Sequence, residues 1–296
     1  MSPEEHAHRA GIVALLGPPN AGKSTLLNRV LGQKLAIVTA KPQTTRSRIL
    51  GIHSLPGAQI VFIDTPGLHH GGKLLNTVLN EAVAETVRNC ELALVLVDLG
   101  RGWTPDHDEL IRALCDAETP AILVGNKLDL QALEDPAWPP AAAGELLAHH
   151  SVSARTGDGI PALLETIVAQ LPESPPLYPE DDLTDRPLRW LAAELVREAL
   201  FEELEQELPY GMAVEVIEFD ESRADLVKLR ANLLVVRNSQ KRIVIGSGGR
   251  QIKRIGVRAR RAIEALLGTR VHLDLWVKVD PRWAKDKERI EDLGYG

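Results

Sequence analysis

Eight residues near the amino end, Gly17-Pro18-Pro19-Asn20-Ala21-Gly22-Lys23-Ser24, follow the pattern glycine, four variable residues, glycine, lysine, hydroxyl residue, with Thr25 next in line. In such a loop the backbone N–H groups turn inward around an anion at a helix N-terminus. Lys23 would reach the outer phosphates of a nucleotide, and the Ser24 hydroxyl would ligate Mg²⁺. Further on, Val61-Phe62-Ile63-Asp64-Thr65-Pro66-Gly67 ends an aliphatic run on a carboxylate and then a glycine. A carboxylate there can hold Mg²⁺ through water, and the Gly67 N–H can sense a γ-phosphate. Asn126-Lys127-Leu128-Asp129 ends another such run. Asp129 can accept two parallel hydrogen bonds from the ring N–H and exocyclic amine of guanine, a donor pair that adenine lacks. Asn126 would brace the loops, and the Lys127 stem would lie along the base. Ser151-Val152-Ser153-Ala154 offers the Ala154 N–H to the guanine carbonyl oxygen. In this order the four loops describe a site for GTP or GDP with Mg²⁺.

A second constellation lies far downstream, at Val244-Ile245-Gly246-Ser247-Gly248-Gly249-Arg250-Gln251-Ile252-Lys253-Arg254-Ile255-Gly256. Gly246 and Gly249 frame a Gly-x-x-Gly loop between two helical stretches, which is the signature of a KH domain. Glycine lets a sugar–phosphate backbone approach closely, and Arg250, Lys253 and Arg254 add positive charge. Ile245, Ile252 and Ile255 sit at core spacing. Trp276 is the only aromatic residue between Arg230 and Lys278, so bases would be held by aliphatic contacts and edge hydrogen bonds rather than by stacking.

These residues need a frame. Between the first glycine motif and Pro172, short aliphatic or β-branched runs (Gly11 to Leu16, Gln59 to Ile63, Leu92 to Val97, Ala121 to Gly125, His150 to Ser153) alternate with longer helical stretches. That alternation predicts a mostly parallel sheet flanked by helices. Four prolines between Leu171 and Pro179 interrupt the pattern and predict a semi-rigid spacer. Beyond it, Thr184 or Asp185 can cap a helix entered through Pro187. Strands over Met212 to Phe219 and Ala224 to Val236 follow, then the glycine loop, a basic helix to Leu267 and a last strand over Val271 to Val279. The expected division is 1–172, a spacer over 173–185, and a small α+β domain over 186–296.

Charge follows the same division. The 296 residues carry 34 Lys+Arg against 41 Asp+Glu, a net −7. Between Arg230 and Lys278 twelve basic residues face two acidic ones, so that segment is +10 and the remainder −17. Such segregation points to a polyanionic partner for the basic part. The longest uninterrupted aliphatic run, Leu92 to Val97, is far shorter than the ~20 residues of a membrane-spanning helix. Nor do the first ten residues read as a secretory leader. The two cysteines, Cys90 and Cys115, are too few for a disulfide framework and are expected to be small buried hydrophobes, as suits a reducing cytoplasm. The pairs His69-His70 and His149-His150 are expected on surface loops.

With these motifs in hand, the sequence resembles translation-factor-class GTPases, and more closely the Era family. The resemblance runs from Gly17–Ser24 through Gln43-Thr44-Thr45-Arg46, Asp64–Gly67, Asn126–Asp129 and Val152-Ser153-Ala154. It continues through Pro179-Glu180-Asp181, Thr184-Asp185-Arg186 and Glu207-Leu208-Pro209-Tyr210 into the glycine loop. It implies an α/β P-loop GTPase domain followed by a KH domain of the type with its extra strand on the N-terminal side (type II). It also implies that Gln43 to Arg46 form a first switch, with Thr44 or Thr45 ordering when γ-phosphate and Mg²⁺ are present, so that Thr45 joins Ser24 and Asp64 as a metal-site residue. Where Ras-type enzymes place a water-orienting glutamine, this chain has Leu68, which predicts slow intrinsic hydrolysis. Asn20 matches the asparagine that helps hold K⁺ in related GTPases; Lys23, Asn20, Thr44, Thr45 and Gly67 are thus the expected catalytic set. The implied partners are single-stranded RNA near the 3′ end of small-subunit ribosomal RNA, the small subunit in maturation, and peripherally the membrane; no stable oligomer is implied. Two other readings remain at this stage: an RNA-binding module with a non-catalytic nucleotide site, and a metabolic phosphotransferase, which the guanine motif disfavours.

Overall fold

The computed structural model describes residues 8–39, 41, 44–45, 47–66, 81, 83–130, 138–143 and 146–294. They divide into two compact units: the described residues of 1–36, 45–71 and 76–185 in one, and those of 37–44 and 186–296 in the other.

The first unit is built on a six-stranded sheet. Its strands are β1 (Arg9–Leu16), β2 (Ile49–Leu55), β3 (Ala58–Asp64), β4 (Leu92–Asp98), β5 (Ala121–Asn126) and β6 (Ala148–Ser151), in the spatial order β2-β3-β1-β4-β5-β6. All neighbours are parallel except β2 and β3. Strands β3, β4 and β5 are buried at every position, which is why they read as unbroken aliphatic runs rather than as alternating ones. Helix α1 (Lys23–Leu31) begins directly after the phosphate-loop pattern and ends on Gly32 in the left-handed conformation. Helix α2 (Pro105–Asp116) starts with proline, and its entry is closed by His107, whose Nδ1 accepts the Thr104 N–H at 2.9 Å. The His107 ring is fully buried, with Nε2 3.2 Å from the Leu96 carbonyl in β4. Helix α3 (Ile160–Gln170) follows β6.

The proline-rich stretch lies along this unit. The backbones of Arg9 and Glu173 pair in an isolated antiparallel β-bridge, Ser174 N–H donates to the His8 carbonyl at 2.9 Å, and Gln59 Oε1 accepts from Leu177 and Tyr178 N–H at 2.8 and 2.9 Å. Ile52 N–H donates to the Leu183 carbonyl at 2.9 Å.

In the second unit, β7 (Ala213–Arg223) pairs antiparallel with β8 (Leu226–Val235), which pairs in parallel with β9 (Arg270–Val279). Helices α4 (Leu188–Glu203), α5 (Asn238–Ile245) and α6 (Arg250–Leu267) bury Leu195, Val196, Ala199, Val244, Ile255, Ala259 and Ile263 against Leu229, Ala231 and Leu233 of β8. Ile37 belongs to this core, and beside it Val38 N–H donates to Glu198 Oε1 at 3.0 Å while the Lys41 amine donates to the Phe201 and Leu204 carbonyls. On the other face of the sheet, Trp283 and Ile290 of α7 (Lys287–Asp292) and its approach cover Ala213 and Leu234.

Several expectations need correction. Strand β2 was not foreseen: His53 and Ser54 interrupt its apolar pattern, and a turn at Gly57 with φ +77° folds it back on β3. Helix α4 has no side-chain cap from Thr184 or Asp185; Pro187 is itself the N-cap. His149 and His150 lie in β6 rather than in a loop, and Cys115 is exposed while Cys90 is half-buried. Helix α7 was missed, because its burial rests on Trp283 outside the helix rather than on an apolar stripe. His69, His70, Gln43, Arg46, Gly67 and Leu68 lie outside the described residues.

Candidate functional site

The loop from Gly17 to Gly22 is shaped by backbone that only glycine takes without strain. A Cβ on Gly17 (φ +144°) would meet the Leu96 carbonyl oxygen at 2.7 Å, and one on Gly22 (φ +97°) would meet Asn126 Nδ2 at 2.1 Å. Asn126 is the reason for the second clash. Its amide donates to the Ala21 carbonyl at 2.8 Å, and its oxygen accepts from Lys127 N–H at 2.8 Å and from Ala154 N–H at 3.0 Å. One buried side chain therefore ties the phosphate-loop pattern, the Asn-Lys-x-Asp loop and the Ser153-Ala154 loop together.

At the phosphate end, the buried Lys23 amine donates to the Gly17 and Pro18 carbonyls at 2.8 and 3.1 Å. Burial lowers its pKa to about 8, with the Asp64 charge opposing that shift. Asp64 is fully buried, and burial raises its pKa to about 6 against the pull of Lys23 and of the Ser24 hydroxyl. Ser24 Oγ lies 2.6 Å from Asp64 Oδ2 and 2.9 Å from Thr45 Oγ1. Thr44 faces elsewhere, its hydroxyl bonded to Thr39 at 2.7 Å and to the Lys41 carbonyl at 2.8 Å. Thr65 donates to the Leu15 carbonyl at 2.8 Å, which fixes the end of β3 on β1. Asp64 Oδ1 is buried without a hydrogen-bond partner among the described residues. An orphaned carboxylate oxygen beside two hydroxyls is a hard, all-oxygen donor set, which fits Mg²⁺. Pro18, Pro19, Asn20 and Thr25 are half-buried around the same loop, with Asn20 in the left-handed conformation at φ +66°.

At the base end, Asp129 Oδ1 accepts from Ser153 Oγ at 2.6 Å and Oδ2 lies 2.7 Å from the Arg155 guanidinium. The Ser153 hydrogen bond first, then the Arg155 charge, hold this carboxyl below its ordinary pKa. Lys127, with φ +68°, sends its amine to Asp98 Oδ2 at 2.7 Å. Asp98 and Arg155 were missed by motif reading; Asp98 lies opposite Asn126 in the β4–β5 ladder, a neighbour in space only. The Ala154 N–H, expected to face a base, is engaged by Asn126.

In the second unit, α5 ends at Gly246 (φ +73°), where a Cβ would stand 2.6 Å from that of Gln251, and Gly248 and Gly249 continue with φ +61° and +76° into α6. Ser247 to Gly249 form a single 3₁₀ turn. A groove of about 350 Å³ runs between α6 and β9, lined by Ile252, Lys253, Gly256 and Arg260 on one side and His272 and Leu275 on the other. Ile255 points into the core, whereas Ile245 and Ile252 are partly buried beside it. Trp276 is 64% exposed and does not line the groove.

Known proteins share this arrangement. A family model described as a 50S ribosome-binding GTPase matches residues 12–127, and one described as a KH domain matches residues 207–284. The GTPase Era of Geotalea daltonii is 43% identical over 294 residues, covering 98% of this chain and 99% of that protein. That of Stenotrophomonas maltophilia (strain R551-3) is 41% identical, covering 99% of both. A crystal structure of Era in complex with MgGDPNP and nucleotides 1506-1542 of 16S ribosomal RNA matches at a TM-score of 0.92 and 36% identity, covering 98% of this chain and 99% of that one. An Aquifex aeolicus Era variant bound to GDP.AlF4- matches at 0.88 and 36%, covering 97% and 99%. The α/β nucleotide-binding fold, the small domain with its glycine loop and the end-to-end identity agree: the chain belongs to the Era family of GTPases.

Proposed function

We propose that the protein binds GTP with Mg²⁺, hydrolyses it slowly to GDP and phosphate, and binds small-subunit ribosomal RNA near its 3′ end during maturation of that subunit. The observation that carries this reading is the Asn126 amide, which joins the phosphate-gripping and base-reading loops within 3.0 Å of one side chain. Lys23 exchanges the Gly17 and Pro18 carbonyls for phosphate oxygens, and the arriving anion raises its pKa from about 8, so the amine stays charged at neutral pH. Ser24, Thr45 and Asp64 are the residues that would hold Mg²⁺. When bound, the ion neutralises charge on the phosphate oxygens. Asp129 reads guanine through its two oxygens, with Ser153 fixing the rotamer and Ala154 closing the pocket. Gly17 to Ser24, Thr25, Thr65, Pro66, Gly67 and Lys127 complete the nucleotide-contacting set. Thr44 serves the switch segment rather than the metal. Asn20 is the residue that would hold K⁺ beside the phosphates, where the ion would supply charge stabilisation. For RNA, Ile245 to Arg250, Lys253 and Arg254 form the contact at the glycine loop. The domain limits that go with this reading are 1–172, 173–185 and 186–296.

Single-turnover hydrolysis tests the enzyme: turnover above background that is lost in Lys23→Ala and faster in KCl than in NaCl is expected. Equal rates in the two salts would remove K⁺, and no turnover at all would leave an RNA-binding module with a structural nucleotide. Gly249→Asp should abolish RNA binding in a filter assay, because it sets a negative charge against phosphate. No helix among the described residues is long and apolar enough to cross a membrane. The working place of such a protein is the cytoplasm, with peripheral association at the inner membrane face a finer element of the proposal; co-flotation with anionic liposomes tests it.

A further inference from the structure

The base end of the nucleotide site is built from strand ends and the loops after them, with one contribution from a helix. Arg29, in the last turn of the helix α1 that begins with Lys23 and Ser24, reaches across to the loop after β6. Its Nε donates to the Ala154 carbonyl at 3.2 Å, and its Nη2 donates to the Arg155 carbonyl. The aliphatic stem runs beneath the same turn, since a Cβ built on Gly157 (φ +100°) would stand 3.8 Å from Arg29 Cδ. One side chain thus touches Ala154, Arg155 and Gly157, although 125 positions separate Arg29 from Ala154.

Ala154 is held from both sides. Its N–H lies 3.0 Å from Asn126 Oδ1, and its carbonyl is taken by Arg29. Arg155, whose guanidinium lies 2.7 Å from Asp129 Oδ2, hangs from backbone that the same arginine grips. A guanidinium is planar and carries its donors at a fixed spread, so it can set two successive carbonyls in one geometry. The need for such a clamp lies in the loop itself, where Gly157 and Gly159 both take positive φ. Glycine-containing backbone that is ordered only when a base arrives loses conformational freedom at the expense of affinity, and backbone held in place beforehand does not.

We propose that Arg29 is a positioning residue for guanine selection, which clamps the Ala154 and Arg155 carbonyls and so holds the Ala154 N–H at the place where the guanine carbonyl oxygen arrives. It does not touch the nucleotide. The proposal deepens the nucleotide reading above and rests on it. Lys23 and Ser24 stand at the start of α1 and Arg29 about 9 Å further along, so one rigid helix sets the spacing between the phosphate grip and the base reader. Adenine carries an amine where guanine carries that oxygen, so an aligned N–H favours GTP and gives ATP nothing.

Titration of the full chain with methylanthraniloyl-labelled GTP and ATP reads the selection directly. Arg29 lies on the exposed side of α1, and Arg29→Met keeps both a good helix former and a stem against Gly157 while removing the donors. This variant is expected to bind GTP ~10-fold more weakly or worse and ATP within ~2-fold of wild type, so that the preference for GTP falls. Arg29→Lys, whose ammonium can still donate to a carbonyl, is expected to recover part of that preference. Equal weakening of both nucleotides, as an arginine that only stabilises the fold would give, or an unchanged preference for GTP, would overturn the proposal. A wild-type chain that binds neither nucleotide, or both alike, would undo the nucleotide reading itself, and that failure shows before any variant is compared.

Discussion

At Asp129 two neighbours, the Ser153 hydroxyl and the Arg155 guanidinium, take one carboxylate oxygen each, and both stabilise the ionised form. An ionised carboxylate is the form that accepts the two N–H groups of guanine, so under the proposed function Asp129 keeps the form that reading the base requires at any pH near neutrality. Exchanging one oxygen for an amide reverses half of that pattern. Asp129→Asn is therefore expected to lose guanine nucleotides by about 100-fold or more, the scale of unpaired groups in a polar site, and to gain xanthosine triphosphate, whose carbonyl replaces the exocyclic amine. Calorimetry with the two nucleotides measures it; undiminished GTP binding would show that Asp129 does not face the base. The Asn126 brace was legible from the motif. The roles of Asp98 and Arg155 were not, because Asp98 reaches Lys127 only through the pairing of β4 with β5, and Arg155 reaches Asp129 only through the approach of two loops.

Helix α2 shows how an element can carry its own pH dependence. His107 must keep Nδ1 free of a proton to accept the Thr104 N–H, and burial lowers its pKa below the ordinary 6.5. Because the native pKa is the lower one, the unfolded chain binds the extra proton first. The contribution of neutral His107 is thus complete above about 6.5 and is lost as pH falls through that value toward the native pKa. Glutamine at the same helix position closes the same reciprocal cap without titrating. The melting temperature of wild type should therefore drop more than that of His107→Gln between about pH 7.5 and about pH 5.5, and parallel curves would deny His107 this role. Elements with one strong internal signal were legible: the buried parallel strands, the helix after the phosphate loop and the glycine turn into α6. Those whose stability comes from elsewhere were not. Strand β2 is held by its partner β3 rather than by its own composition, and α7 by a tryptophan that precedes it.

The whole molecule keeps its charges apart, with +10 between Arg230 and Lys278 and −17 over the rest. A polyanion such as RNA should meet the basic part and be repelled by the remainder, which makes binding specific in orientation and steep in salt. If GTP state and RNA binding are coupled, RNA affinity measured with a non-hydrolysable GTP analogue will differ from that with GDP; a ratio of one would mean two independent functions on one chain. The units themselves are not consecutive pieces of sequence. Ile37, from the amino-terminal half, is buried in the core of the second unit, and Val38 and Lys41 hydrogen-bond there too. The halves are thus not interchangeable cassettes. A chimera that exchanges residues 186–296 between relatives should hold its melting temperature when the stretch 37–44 comes from the same parent, and fall when it does not. A transplant of the second unit therefore needs another junction about 150 residues upstream of the apparent seam, as the separation of Ile37 from Arg186 requires.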